Sequence, residues 1–343
     1  MIKAKLVFRD DAGNICPPGH INSLPPAQFY SEWAEGKLWR DVVVTLTDRA
    51  LVVKGLQDPR SKEFQLVGGE TYFAWGELDR YLSLVPRLLY LHDCSDMPGS
   101  RLATCLEEDS FRDVAMFAPE VMKAKRATYK NDKLYTTYYD LSADIVHTQD
   151  WYDRNPAVVV RDIILELLKK WTVRDNATLL YLLNQSCNLI NNVFVATAFT
   201  PSVFSSMRDE IARWQIETPH LLATAHALSK MDFDAWDSIA KFTNEPGTLG
   251  LHPENAILMG NTHLFCLGSP HDISYPDYGA GQKDLFLCGS PDILGVRSVA
   301  AEPSCHLVDH TIIGAPMFGW LWYTYIGTQI TNSRAVVAGV LKD

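Results

Sequence analysis

The chain contains no Cys-x-x-Cys pair, no Gly-x-Gly-x-x-Gly and no Gly-x-x-x-x-Gly-Lys-Ser/Thr. Its cysteines (Cys16, Cys94, Cys105, Cys187, Cys266, Cys288 and Cys305) are odd in number and irregular in spacing, which points to free thiols in a reducing compartment. The glycine patterns that cradle nucleotide phosphates are missing. No apolar run approaches the roughly 18 residues that a membrane-spanning helix needs. Positive charge is scarce. The 31 Lys and Arg against 41 Asp and Glu leave a formal net charge of -10, the opposite sign to a protein built to grip nucleic acid. The opening MIKAKLVFRDD alternates and then meets charge, unlike a signal peptide.

What the chain does have is apolar and aromatic. Hydrophobic residues make up 47% of the 343, enough to exclude disorder as a description of the whole and to bury a large core or two or three domains. The organising stretch runs from Val158 to Asn184. Apolar residues recur at Val159, Ile163, Leu167 and Trp171, then at Leu179, Leu182 and Leu183, with Leu168 beside them and no internal Gly or Pro. Asn155-Pro156 supplies a cap and a first-turn proline. This predicts a long buried spine helix. A coiled-coil partner helix is the weaker alternative, because the face is too broad and its heptad breaks at Arg174-Asp175.

Upstream of the spine, residues 1–120 read as irregular. Lys3–Phe8 and Asp41–Thr47 are strand candidates, with Leu51–Val53 expected to pair with the second across the Thr47-Asp48-Arg49 turn. Gly68, Gly69 and Gly76 read as turns, and Trp75–Leu91 as helix interrupted at Pro86. Leu134–Asp140 and Ala143–Val146 read as two arms of a half-exposed hairpin. That reading outweighs nucleic-acid binding by the adjacent Lys123, Lys125, Arg126, Lys130 and Lys133 with Tyr129, Tyr135, Tyr138 and Tyr139. Downstream, Ser202–Trp214 and Leu221–Leu228 read as helix, as does a short stretch from Asp232 or Asp234 to Phe242. Ala256–Met259 reads as a strand. The His263–Pro270 and Asp284–Pro291 segments repeat a short apolar run before Gly-Ser-Pro, expected as two sheet edges ending in turns.

No catalytic, cofactor or metal site emerges. The Gly-Ser-Pro turns lack the small residue that a nucleophile elbow needs two positions beyond Ser. His263, Cys266 and His271, or Cys305, His306, Asp309 and His310, offer suitable ligand atoms without a zinc spacing, and strands send alternate side chains to opposite faces. They leave a metal-dependent hydrolase as a distant alternative. Glu107-Glu108 and Asp232/Asp234 read as surface charge.

The C-terminal third carries a resemblance. Pro291-Asp292-Ile293-Leu294-Gly295-Val296, then Gly319-Trp320, then Tyr323-Thr324-Tyr325-Ile326-Gly327-Thr328, and finally Asn332-Ser333-Arg334-Ala335-Val336 follow in that order. The series resembles the end of major capsid proteins of tailed bacteriophages with the Hong Kong 97-type fold. Thr324 stands where that family often carries Glu, and Thr328 where it usually carries Met. Val173-Arg174-Asp175-Asn176 is similar to the polar element that ends the family's long helix.

The resemblance implies an α+β fold with an N-terminal arm or lineage-specific addition at 1–104 and an extended loop at 105–150. It further implies a peripheral domain with the spine helix at 151–200, an axial domain at 201–310 and a C-terminal strand returning to the peripheral domain at 311–343. Ile163, Leu167, Leu168, Trp171, Tyr135, Gly295, Gly319, Trp320, Tyr325, Gly327, Asn332 and Arg334 become the assembly and core candidates. The implied role is a non-enzymatic icosahedral shell, in a virion made in the cytoplasm of a bacterial host. Its partners would be its own copies in pentamers and hexamers, portal, scaffold and optional decoration proteins, and genomic DNA enclosed without sequence-specific binding. No membrane and no cofactor are expected. Some members cross-link neighbours through Lys and Asn with a nearby Glu, a trio that does not align here. An encapsulin-like compartment shell is the alternative within the same fold.

Overall fold

The computed structural model describes residues 2–24, 28, 31–32, 35–93, 102–104, 133–135, 138–154, 156–187, 189–231, 233–236, 240–241, 258–259, 261–267, 283–309 and 316–342. The expected carboxylates Glu107-Glu108, most of the basic patch, His271 and His310 lie outside them.

The first sheet is built by β1 (Ile2–Asp10), β2 (Ile15–Cys16) and β3 (Leu38–Leu46), in the order β2-β1-β3. β1 and β3 are antiparallel along their full length, Ile2 opposite Leu46 and Asp10 opposite Leu38. Gly13 turns the chain at φ 82°, and the Asp10 carboxylate accepts the Asn14 N–H at 2.7 Å. After the short α1 (Pro18–Ser23) and β3, the expected second arm of a hairpin is instead α2 (Arg49–Gln57). Asp48 explains the correction: it is an N-cap that accepts the Leu51 N–H at 3.0 Å, and Val52 and Leu56, four apart, are buried together.

α3 (Lys62–Leu82) is the second correction, because Gly68, Gly69 and Gly76 sit inside it rather than in turns. A Cβ on Gly68 would lie 2.2 Å from Trp320 Cδ1, so the glycine admits an indole against the helix backbone. Residues 1–120 are therefore far from irregular where described. α4 (Val85–Leu88) and β4 (Tyr90–Asp93) follow, then β5 (Leu102–Thr104) paired with β6 (Lys133–Tyr135).

β7 (Tyr138–Thr148) is one continuous strand, not part of a hairpin. Residues 138–140 and 143–146 both pair with the strand Met317–Ile330, so no turn interrupts them. α5 (Gln149–Arg154) leads to α6 (Pro156–Ser186), the expected spine, 31 residues long. Next come β8 (Phe194–Ala196), α7 (Pro201–Ala212), β9 (His220–Thr224), α8 (Ala225–Ser229) and α9 (Phe233–Trp236). Leu221–Leu228 is thus strand then helix, divided where Thr224 caps Ala227 N–H at 3.1 Å. Ala240–Lys241, inside the stretch expected to continue the short helix, are instead strand β10.

β11 (Leu258–Met259), β12 (Thr262–Leu267), β13 (Leu285–Cys288), α10 (Pro291–Leu294), β14 (Gly295–Asp309), β15 (Met317–Ile330) and β16 (Val336–Leu341) complete the chain. One sheet runs β4-β14-β15-β7 and another β10-β11-β12-β9-β13-β16-β8. β12 and β13, expected at edges, flank the central β9. Their unbroken apolar runs reflect burial on both faces.

Two hydrophobic cores result. One surrounds the seven-stranded sheet and takes Leu179, Leu180 and Leu183 from the spine and Cys187 from just beyond its end. The other lies between the four-stranded sheet and α2, α3 and α5, and takes Trp171. The spine therefore joins both cores. The chain passes between the sheets after Leu294 and again at 331–335, so neither sheet is one continuous stretch of sequence.

Candidate functional site

Among the described residues no group of three or more His, Cys, Asp or Glu is placed to hold a metal ion. Cys305 and His306 are neighbours on β14. His306 is exposed and meets Ser304 Oγ at 2.8 Å, while burial pushes the Cys305 thiol up to about 12. What the structure assembles instead are three polar or aromatic fastenings between elements distant in sequence.

The first explains the polar break in the spine. Asp175 takes a bidentate pair from Arg297 on β14, at 2.7 and 3.1 Å, and Arg297 also donates to Thr328 Oγ1 at 2.7 Å. Both side chains are nearly buried, at 7% and 11% exposure, so the charges depend on each other. Asn176, fully buried, accepts the Leu84 N–H at 2.8 Å and so holds the start of α4. Arg174-Asp175 interrupts the apolar period because the helix here meets β14 and α4, not because it ends.

The second is the joint formed by the C-terminal motif. The Leu294 carbonyl accepts the N–H groups of Thr331 and Asn332, and Gly289 N–H donates to Ala335 O at 2.7 Å. Asn332 Oδ1 caps the following turn by accepting Arg334 N–H at 3.0 Å. Asn191 then stitches the turn, its amide donating to the carbonyls of Arg334 and Val336 at 2.9 and 2.8 Å. Its Oδ1 accepts Trp214 Nε1–H at 3.1 Å. The Trp214 ring lies near two cations, with the guanidinium carbons of Arg213 and Arg334 at 4.9 and 4.7 Å. Asn191 and Trp214 carry no motif and were not legible as partners of this turn. Gly295 opens β14 where a Cβ would meet Gln329 O at 2.4 Å.

The third is an aromatic layer. Trp320 stacks on Phe64, centroids 4.3 Å apart, and donates Nε1–H to the Phe64 carbonyl. Trp322 donates to the Gly68 carbonyl at 3.3 Å. Tyr152 meets Phe64 and Trp320 edge-on, and burial drives its phenol pKa upward while the OH donates to Phe318 O. Gly319 allows β15 to approach β7, since a Cβ there would fall 1.8 Å from Ile145 O. Tyr325 is half-buried on the opposite face of β15, and Gly327 is buried between Ser298 and Tyr138. Ile163, Leu167 and Leu168 lie on the spine, and Tyr135 on β6, with their side chains outside the described residues.

Several large apolar side chains face outward. Leu66 and Phe73, seven residues apart on α3, are exposed, Phe73 at 74%. Leu189, Ile190 and Val195 are exposed beyond the spine's end and on the edge strand β8.

No protein-family model and no curated protein matches the chain. Among solved structures it is similar to a chain of the mature capsid of bacteriophage PhiM1, at 14% identity and TM-score 0.44, covering 77% of this chain and 88% of that one. It is also similar to the capsid of cyanophage P-SCSP1u, at 8% identity and TM-score 0.47 over 77% and 89%. The capsid of a native GTA particle matches at 12% identity and TM-score 0.44 over 75% and 89%.

Proposed function

We propose that the chain is the major capsid protein of a tailed phage, self-assembling into an icosahedral shell around double-stranded DNA. The observation that carries the reading is the C-terminal motif series. The residues that resemble the capsid family are those that build the joint between the two sheets and the fastening onto Phe64 and Gly68. A subunit of a thin shell needs such a joint, since its lobes are pulled by different neighbours.

In this reading the seven-stranded sheet is the axial part, meeting its copies around five-fold and six-fold axes. The four-stranded sheet with the spine is the peripheral part. The loop around 105–137 reaches a neighbour, with Tyr135 at its return. Ile163, Leu167, Leu168 and Trp171 hold the spine in place, and the exposed Phe73, Leu66, Leu189 and Val195 meet other subunits. Portal, scaffold and decoration proteins are the further partners, and synthesis is in the host cytoplasm. The role is structural, without turnover.

Sedimentation velocity of the protein co-expressed with its scaffold tests the proposal. Particles far heavier than a single capsomer are expected. A sole boundary at the mass of the free chain under every assembly condition tried contradicts it.

A further inference from the structure

We propose that Cys187 and Lys283 are a modification site, which hydrogen peroxide joins through one oxygen atom as an Nζ–O–Sγ bridge between the spine's end and β13. The spine stops at Ser186, and Cys187 follows it with no exposure to solvent. Lys283 lies just before β13 and is half-buried. Its ammonium donates to the Cys187 sulfur at 3.1 Å, to the Asn184 carbonyl at 3.2 Å and to Asn184 Oδ1 at 2.9 Å. An ammonium has three donors, so these acceptors occupy it, and none of them is a carboxylate. The Cys187 thiol donates to the Asn184 carbonyl at 3.3 Å, which leaves the sulfur lone pairs to meet Nζ.

A thiol closed to solvent is out of reach of bulky disulfides, which leaves a molecule as small as hydrogen peroxide as the oxidant. In the first step the sulfur attacks a peroxide oxygen, the O–O bond breaks, and water leaves behind a sulfenic acid. A sulfenic acid condenses with a nearby thiol or nitrogen, and here Nζ is in contact. At 3.1 Å the two atoms are too far apart for a direct S–N bond, and one oxygen spans most of that gap. In the second step another peroxide accepts two electrons as the N–O bond forms. Nζ and the sulfenic oxygen each lose a hydrogen, and two waters leave. In total a neutral amine, a thiol and two peroxides give the bridge and three waters. The joined residues are 96 apart, so the bond closes a long loop and stabilises the folded chain. In the capsid reading, on which only this timing rests, the chain stays reduced in the host and links after release.

The test treats the unassembled full chain with hydrogen peroxide, digests it without reductant and maps the peptides by mass spectrometry. A peptide pair joining Cys187 to Lys283 is expected, heavier by one oxygen and lighter by two hydrogens than the sum of its halves. The thermal midpoint should rise with it, and dithiothreitol should reverse both changes. Lys283→Arg keeps the cation beside Asn184 but removes the amine, so its midpoint should not respond to peroxide. Separate Cys187 and Lys283 peptides from the treated wild type overturn the proposal, whether Cys187 is found unmodified, as a sulfinic acid or in a disulfide. An equal midpoint rise in Lys283→Arg overturns it too. If the variant does not fold, the wild-type peptide map decides. The experiment needs no particle, so its failure leaves the capsid reading untouched.

Discussion

At the scale of single residues, the fold relies on polar groups set where the apolar pattern falters. Removing the carboxylate of Asp175 takes the bidentate anion away from the nearly buried Arg297, which costs more than the pair itself contributes. Asp175→Asn should lower stability by about 3–5 kcal/mol, read as a shift in the denaturant midpoint with unchanged slope. An Asp175→Asn, Arg297→Met double variant should recover part of that loss. Gly68→Ala places a methyl against the Trp320 indole, so a loss of about 1–3 kcal/mol with altered tryptophan fluorescence is expected.

His220 gives the pH dependence. Burial, then His263 and Arg87, lower its pKa to about 4 from 6.5. The unfolded chain therefore binds a proton that the folded chain refuses between those values. Stability from this group is complete above pH 6.5, falls as pH drops towards 4 and levels off below. The loss is about 3 kcal/mol at most, and it should be absent from melts of His220→Gln.

At the scale of elements, the spine is the longest lever. Leu183 is fully buried where the helix crosses the seven-stranded sheet. Leu183→Ala should cost about 2–5 kcal/mol, whereas Tyr181→Ala, at an exposed position on the same turn, should leave the melting midpoint nearly unchanged. The spine was legible because an uninterrupted apolar period of that length has few other solutions. The strands β1, β3 and β13 were legible in the same way, through alternation or short apolar runs. The end of α3 was legible as helix from Trp75, but its first half was not, because Gly68 admits a distant indole and with Gly69 resembles a turn locally. The strand β7 was divided in reading because its pairing partner, β15, lies 169 or more residues away and no local signal reveals that register. Asn332 and Arg334 were marked by motif alone, and Asn191 became visible only through its three carbonyls.

At the scale of the molecule, two cores share one helix and one polar joint, and large apolar side chains remain outside. Exposed residues such as Phe73 and Leu189 are a liability for an isolated chain and an asset for one whose contacts repeat around symmetry axes. Assembly is read from negative-stain electron microscopy of the protein co-expressed with its scaffold. Closed shells hundreds of ångströms across, built from five- and six-membered rings, are expected. A monodisperse field of monomers or dimers, with neither rings nor shells under any assembly condition, would contradict it.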